Sequence, residues 1–126
     1  MKKSISTNKA PAAVGPYVQG VQYGNLVFAS GQIPFNPETN ALEAGDIKAQ
    51  THRSMQNLIA VLQAGNADVD TILKTTIFVA DMKDFAAVNE VYASYFHDAL
   101  PARSCVAARE LPKGVSVEIE AIAHTR

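Results

Sequence analysis

The sequence predicts an α+β domain in which two helices pack on one face of a sheet. Three observations carry that expectation. Five segments read as strands, either by alternation or by β-branched content. Two segments repeat apolar residues at near-helical spacing. Their order along the chain is strand, strand, helix, strand, helix, strand, strand. Residues 1–126 read as one domain, with no linker, low-complexity tract or internal repeat.

Each element has its own ground. Tyr17 to Tyr23 alternates apolar and polar residues, as a half-buried strand does. Gly24-Asn25 is a turn signal, and Leu26 to Ser30 reads as the returning strand of a hairpin. Pro34, Asn36, Pro37 and Asn40 make 31–45 a loop. Asp46 offers a carboxylate to the free N–H groups of a helix start. Ile47, Met55, Leu58, Ile59 and Leu62 then share a face, and Gly65 is expected to end the helix in a left-handed cap. Lys74 to Val79 is β-branched and reads as a strand. A second helix is expected after Asp84, burying Phe85, Val88, Tyr92, Tyr95 and Phe96, with Pro101 at or beyond its end. Strands at 103–108 and 115–123, joined through Leu111-Pro112-Lys113-Gly114, complete the chain.

The middle strand bears on assembly. Ile77 and Val79 point to one face and Phe78 and Ala80 to the other. Two helices cover only one face, and a solvated second face should be polar. This one is not clearly so, which predicts burial of the second face against other subunits.

Composition narrows the class. Apolar residues are 48% and charged residues 18% of 126, enough for a core and too apolar for a disordered chain. A net charge of -1 gives no support to a nucleic-acid surface. The longest apolar run, Leu58 to Leu62, is far short of the roughly 20 residues of a membrane span. Lys2 and Lys3 are followed by polar residues rather than by a signal-peptide core. The one cysteine, Cys105, cannot form an intrachain disulfide. A soluble cytoplasmic protein without membrane or nucleic-acid partners is the expectation.

Standard site signatures are missing: no GxGxxG, P-loop, HExxH, paired CxxC or GxSxG occurs. His52, His97 and His124 lack ligand spacing and read as surface or half-buried residues, so no metal is expected. Two strands are more informative. Alternation places Arg103 and Cys105 on one face, and Glu118 and Glu120 on the face opposite Val117, Ile119 and Ala121. An arginine beside a carboxylate on adjacent strands reads plainly as a cross-strand salt bridge. The functional reading is an arginine fork that clamps an anionic substrate while a glutamate handles a proton or a water. Cys105 reads plainly as a small buried hydrophobe, with no histidine near in sequence to activate it.

Several motifs, in order and register over nearly the whole chain, resemble the RidA (YjgF) family. They are Ala10 to Gly20, Ser30-Gly31-Gln32-Ile33-Pro34, Val88-Asn89, Pro101 to Val106 and Glu118 to Ala123. The resemblance implies a chorismate-mutase-like α+β fold assembled as a homotrimer, with clefts between subunits. It implies hydrolysis of 2-imino acids or their enamine tautomers to 2-oxo acids and ammonia, without cofactor. Such imines are released by pyridoxal-phosphate enzymes such as threonine dehydratase, so the activity limits metabolite damage. By the same resemblance, Arg103 binds the substrate carboxylate, which a lysine could not do bidentately. Glu118 holds the attacking water, assisted by the backbone carbonyl of Cys105. Tyr17, Ser30, Gly31 and Asn89 match pocket positions, partly from an adjacent subunit. Their plain readings are strand packing, turn geometry for Ser30 and Gly31, and a helix-surface amide.

One segment departs from the family pattern. Ala107-Ala108-Arg109-Glu110-Leu111-Pro112 stands where the family commonly reads Glu-Val-Ala-Arg-Leu-Pro. The register to Glu118 holds, but the acidic side chain at 107 is lost. Two other functions are weighed: a non-catalytic module that binds small carboxylates, and a ribonuclease or translation inhibitor, against which the near-neutral charge argues.

Overall fold

The computed structural model describes residues 1–126 and has the α+β architecture expected. Eight strands and two helices follow in order: β1 (Lys3–Ile5), β2 (Gly20–Tyr23), β3 (Leu26–Gln32), β4 (Phe35–Asn36), β5 (Ala41–Leu42), α1 (Ile47–Ala64), β6 (Ile72–Val79), α2 (Phe85–Ala93), β7 (Ala102–Ala107) and β8 (Val117–His124). The main sheet has the order β1-β2-β3-β8-β6-β7. All its pairs are antiparallel except β6 with β7.

Both helices lie on one face. Met55, Leu58, Val61 and Leu62 of α1 are fully buried, as are Val27, Ile77, Val79, Val117 and Ile119 of the sheet. Burying a side chain of this kind contributes about 1.5–3 kcal/mol. Lys48 of α1 and Glu90 of α2 form an ion pair between the helices. The phenol of Tyr92 and the hydroxyl of Thr75 bond 2.7 Å apart, joining α2 to β6 inside the core.

Several local expectations change. Residues 17–19 lie outside β2, and the segment 31–45 is not all loop: β3 runs on to Gln32, and β4 and β5 form a small hairpin. Asn57 of α1, fully buried, ties that region down by donating to the carbonyls of Ile33 (3.0 Å) and Phe35 (2.8 Å). Asp46 caps α1 as expected, accepting from the N–H of Ala49 at 3.0 Å. Gly65, however, has φ -98 and no left-handed cap. It is required for space instead, since a Cβ there would stand 2.6 Å from Ile5 Cδ1 and 3.1 Å from Val27 Cγ1. Helix α2 stops at Ala93, so Tyr95 and Phe96 follow it, and the last strand begins at Val117.

The face away from the helices is mixed. Val21, Phe28 and Ile122 stand in register across β2, β3 and β8, and Val106 and Phe78 across β7 and β6. Phe28 is 40% and Val106 47% exposed. Glu118, Glu120 and Thr76 interrupt the apolar rows. No helix is long and apolar enough to cross a membrane.

Candidate active site

The first group of candidate residues is built on an irregularity between β3 and β8. Ala29 pairs with Ala121 and Gln32 with Ile119, so Ser30 and Gly31 together stand against Glu120. Two residues against one is a β-bulge, a device that re-aims side chains beside sites. Ser30 fixes the neighbouring chain: its N–H donates to the carbonyl of Gln19 (2.9 Å) and its hydroxyl to that of Val18 (2.7 Å). Tyr17, 54% exposed, is thereby held near the bulge. Tyr17, Ser30, Gly31 and Glu118 line one cleft of about 720 Å³, with Lys113 and Glu120 also on its wall.

Glu118 is half-buried in that cleft. Burial, and then the neighbouring Glu120 carboxylate, push its carboxyl above the ordinary glutamate range. A carboxylate raised in this way is a stronger base than an exposed one once ionised.

The second group sits on the far side of the sheet. In β7, Arg103 is in register with Thr75, Cys105 with Ile77 and Ala107 with Val79, so all three side chains take the helix side. Arg103 Nη1 donates to Asn89 Oδ1 at 2.5 Å. Its guanidinium carbon lies 5.5 Å from the ring centre of Phe85 and 5.3 Å from that of Tyr92. Cys105 packs partly on the core, and burial raises its thiol pKa while Arg103 opposes the rise. The thiol is thus a poor nucleophile.

Its backbone is better placed. The N–H of Ala108 donates to the carbonyl of Val79, so 108, 106 and 104 turn their backbone groups toward β6. The alternation leaves the N–H and C=O of Arg103 and Cys105 facing outward, because β7 is the last strand of the sheet. A carbonyl at an open edge is free to accept from a bound water.

The expected juxtaposition of Arg103 and Glu118 within one chain therefore fails. Strand β6 separates β7 from β8, and the two side chains leave opposite faces of the sheet. No cross-strand salt bridge joins Arg103 to either glutamate. Tyr17, Ser30, Gly31 and Glu118 come together, and so do Asn89, Arg103 and Cys105; the two groups do not. The sequence reading missed Phe85 and Tyr92 as neighbours of Arg103, although the spacing 85, 89, 92 marks one helix face. It also missed Gln19, whose buried amide accepts from the N–H of Thr7 and donates to the carbonyls of Thr7, Ala10 and Pro11.

No three His, Cys, Asp or Glu side chains cluster as metal ligands. His52 bonds the Tyr95 hydroxyl at 2.9 Å and His124 the carbonyl of Thr125 at 2.8 Å. In the departing segment, Ala107 ends β7 with its side chain exposed, and Arg109 and Glu110 are exposed beyond it.

Residues 7–125 match the family model described as endoribonuclease L-PSP. The chain belongs to this family. Relatives in it carry a different description of activity. The 2-iminobutanoate/2-iminopropanoate deaminase of Escherichia coli K12 is 52% identical over 129 residues, covering all of both chains. The deaminase of the same name from Salmonella typhimurium is also 52% identical at full coverage. Among solved structures, that of the YjgF gene product from E. coli is 49% identical with a TM-score of 0.93, covering 98% of this chain and 99% of that one. The structure of E. coli TdcF with bound serine is 46% identical with a TM-score of 0.93, at 98% and 99% coverage. Membership in the endoribonuclease L-PSP family, with YjgF inside it, agrees with the resemblance read from the motifs.

Proposed function

We propose that this protein hydrolyses 2-imino acids, and their enamine tautomers, to 2-oxo acids and ammonia, in a site shared between copies of the chain. Full-length identity of 52% to a 2-iminobutanoate/2-iminopropanoate deaminase is the observation that carries the reaction. The placement of Arg103 and Glu118 on opposite faces carries the sharing. A neighbouring copy that covers the mixed face brings its own Glu118 cleft to the Arg103 edge. The assembly in this reading is the homotrimer that the family resemblance implies. The protein works in the cytoplasm and needs no nucleic-acid partner.

In the mechanism, Arg103 binds the substrate carboxylate. Asn89 occupies Nη1, so the remaining donors of the fork meet the ligand. Glu118 and the outward carbonyl of Cys105 hold a water against the imine carbon. In the protonated imine the water oxygen bonds to that carbon, the C=N π pair moves to nitrogen and one water proton passes to Glu118, giving a neutral carbinolamine. Glu118 returns the proton to nitrogen, the C–N bond breaks to release ammonia, and the hydroxyl passes its proton to the again ionised Glu118 as its oxygen forms the carbonyl. The iminium carbon is already electrophilic, so the chain's own residues suffice for each step.

The test is to generate 2-iminobutanoate with a dehydratase and follow its loss. Acceleration by the protein, abolished in Arg103→Ala, is expected. No acceleration, or undiminished acceleration by that variant, overturns the proposal. RNA cleavage is the second reading because the family model bears that description. Cleavage that co-purifies with the protein and disappears in Arg103→Ala would favour it.

A further inference from the structure

Arg103 stands on an edge strand and is exposed, so little of β7 itself restrains its long side chain. An arginine free in this way spreads over many rotamers and loses that freedom on binding a ligand, at a cost in affinity. Here the restraint comes from α2. Phe85, Asn89 and Tyr92, spaced by four and then three residues, lie on one helix face. Asn89 accepts from Nη1, and the two ring centres lie 5.5 and 5.3 Å from the guanidinium carbon. Both distances fall within the roughly 6 Å over which a ring face attracts a cation.

The rings are held differently. Tyr92 is 4% exposed, and its hydroxyl is anchored to buried Thr75 at 2.7 Å. Its other side meets Phe96, with ring centres 4.8 Å apart. Tyr92 is therefore fixed by the core before any ligand arrives. Phe85 is only half-buried and opens α2 immediately after the turn capped by Asp81. One ring is rigid and buried, the other stands at the surface, and the amide lies between them in sequence.

We propose that Phe85 and Tyr92 are positioning residues, which with Asn89 preorganise the Arg103 guanidinium for a substrate carboxylate. The inference rests on the carboxylate-binding role given to Arg103 above. The two rings act through Arg103 and do not touch the reacting atoms. Thr75 supports the arrangement at one remove by fixing the Tyr92 ring. Loss of a ring face then weakens binding of any ligand that uses Arg103, and leaves proton transfer at Glu118 untouched.

The experiment is steady-state kinetics on 2-iminobutanoate with Phe85→Leu, Tyr92→Leu and Tyr92→Phe, beside the wild type and Arg103→Ala. Phe85→Leu and Tyr92→Leu should each raise KM about 3- to 10-fold with kcat within about twofold, the range a cation–ring contact supports. Tyr92→Phe, which keeps the ring, should recover most of the KM lost in Tyr92→Leu. NMR supplies a readout independent of turnover: ring currents should displace the Arg103 side-chain resonances, and Phe85→Leu should reduce the displacement. An unchanged KM in Phe85→Leu, a fall in kcat without a rise in KM, or an undisplaced Arg103 signal overturns the inference. If Arg103→Ala itself leaves KM and kcat unchanged, the carboxylate role has failed, and the inference falls with it. Displaced resonances beside a failed KM effect would identify the fault as the kinetic consequence rather than the geometry.

Discussion

Gly31 lies so close to Glu118 that a Cβ at position 31 would stand 2.6 Å from Oε2 and 2.9 Å from Cδ. The glycine is thus the space into which the carboxylate of Glu118 fits. Its neighbours in the clash belong to the end of a movable side chain, so a methyl group would displace Glu118 more readily than it would unfold β3. Gly31→Ala should therefore melt within a few degrees of wild type, while kcat falls about 10- to 100-fold, since a misplacement near 1 Å costs on that scale. Thermal melts and imine-loss kinetics on the same preparation check this. A large loss of stability, or unimpaired kcat, would show that the glycine serves the backbone instead.

The plain reading of Gly31 was turn geometry, and the difference shows where sequence legibility ends. Alternation grouped the side chains of β6, β7 and β8 by the faces they take, because each strand's pattern is internal to it. It carried no information on strand order, so the insertion of β6 between Arg103 and Glu118 was invisible. The bulge at Ser30-Gly31 depends on the register of a strand some 90 residues away in sequence, and Gly65 on contacts with Ile5 and Val27. β1 is three residues long and shows no period of its own. Individual site residues were legible through motifs; their division between two faces was not.

Glu118→Gln tests the base and its environment together. The neutral amide can hold a water but cannot take its proton, so turnover should fall about 10²- to 10⁴-fold. The raised pKa also sets a sign. A carboxyl held above its ordinary range binds its proton more tightly in the folded chain than in the unfolded one. Its stabilising contribution is present below the ordinary carboxylate range and is lost as pH rises through the raised value. The variant should melt no lower than wild type at neutral pH, with any advantage closing as the pH falls to about 4. Wild-type activity should fall on acidification through a limb above the usual glutamate range, because the base must be ionised. A limb at or below about 4.3 would contradict the assignment.

Cys105 offers the opposite expectation. Burial raises the thiol pKa, and it is the backbone carbonyl that faces the open edge. Cys105→Ser keeps that backbone and nearly the same volume, so kcat should stay within about threefold of wild type, where loss of a thiolate nucleophile would abolish turnover. Steady-state kinetics of the variant decide between the two.

Sharing of the site between copies has a consequence that single variants cannot imitate. Arg103→Ala and Glu118→Gln should each be inactive alone. In a closed ring of identical chains, each site takes one residue from each of two neighbours. Mixing equal amounts of the two variants, with dissociation and reassembly, then returns both wild-type residues to about one site in four, since each has an even chance of coming from the intact partner. Activity near a quarter of wild type is expected from the mixed sample. Simple mixing without subunit exchange should give none. If both residues served the same site from a single chain, no reassembled site would contain both, and the exchanged mixture would stay inactive. Sedimentation of the same sample supplies the companion measurement, because restored activity requires a mass above that of one chain. A monomer at micromolar concentration would remove the interface on which the argument depends.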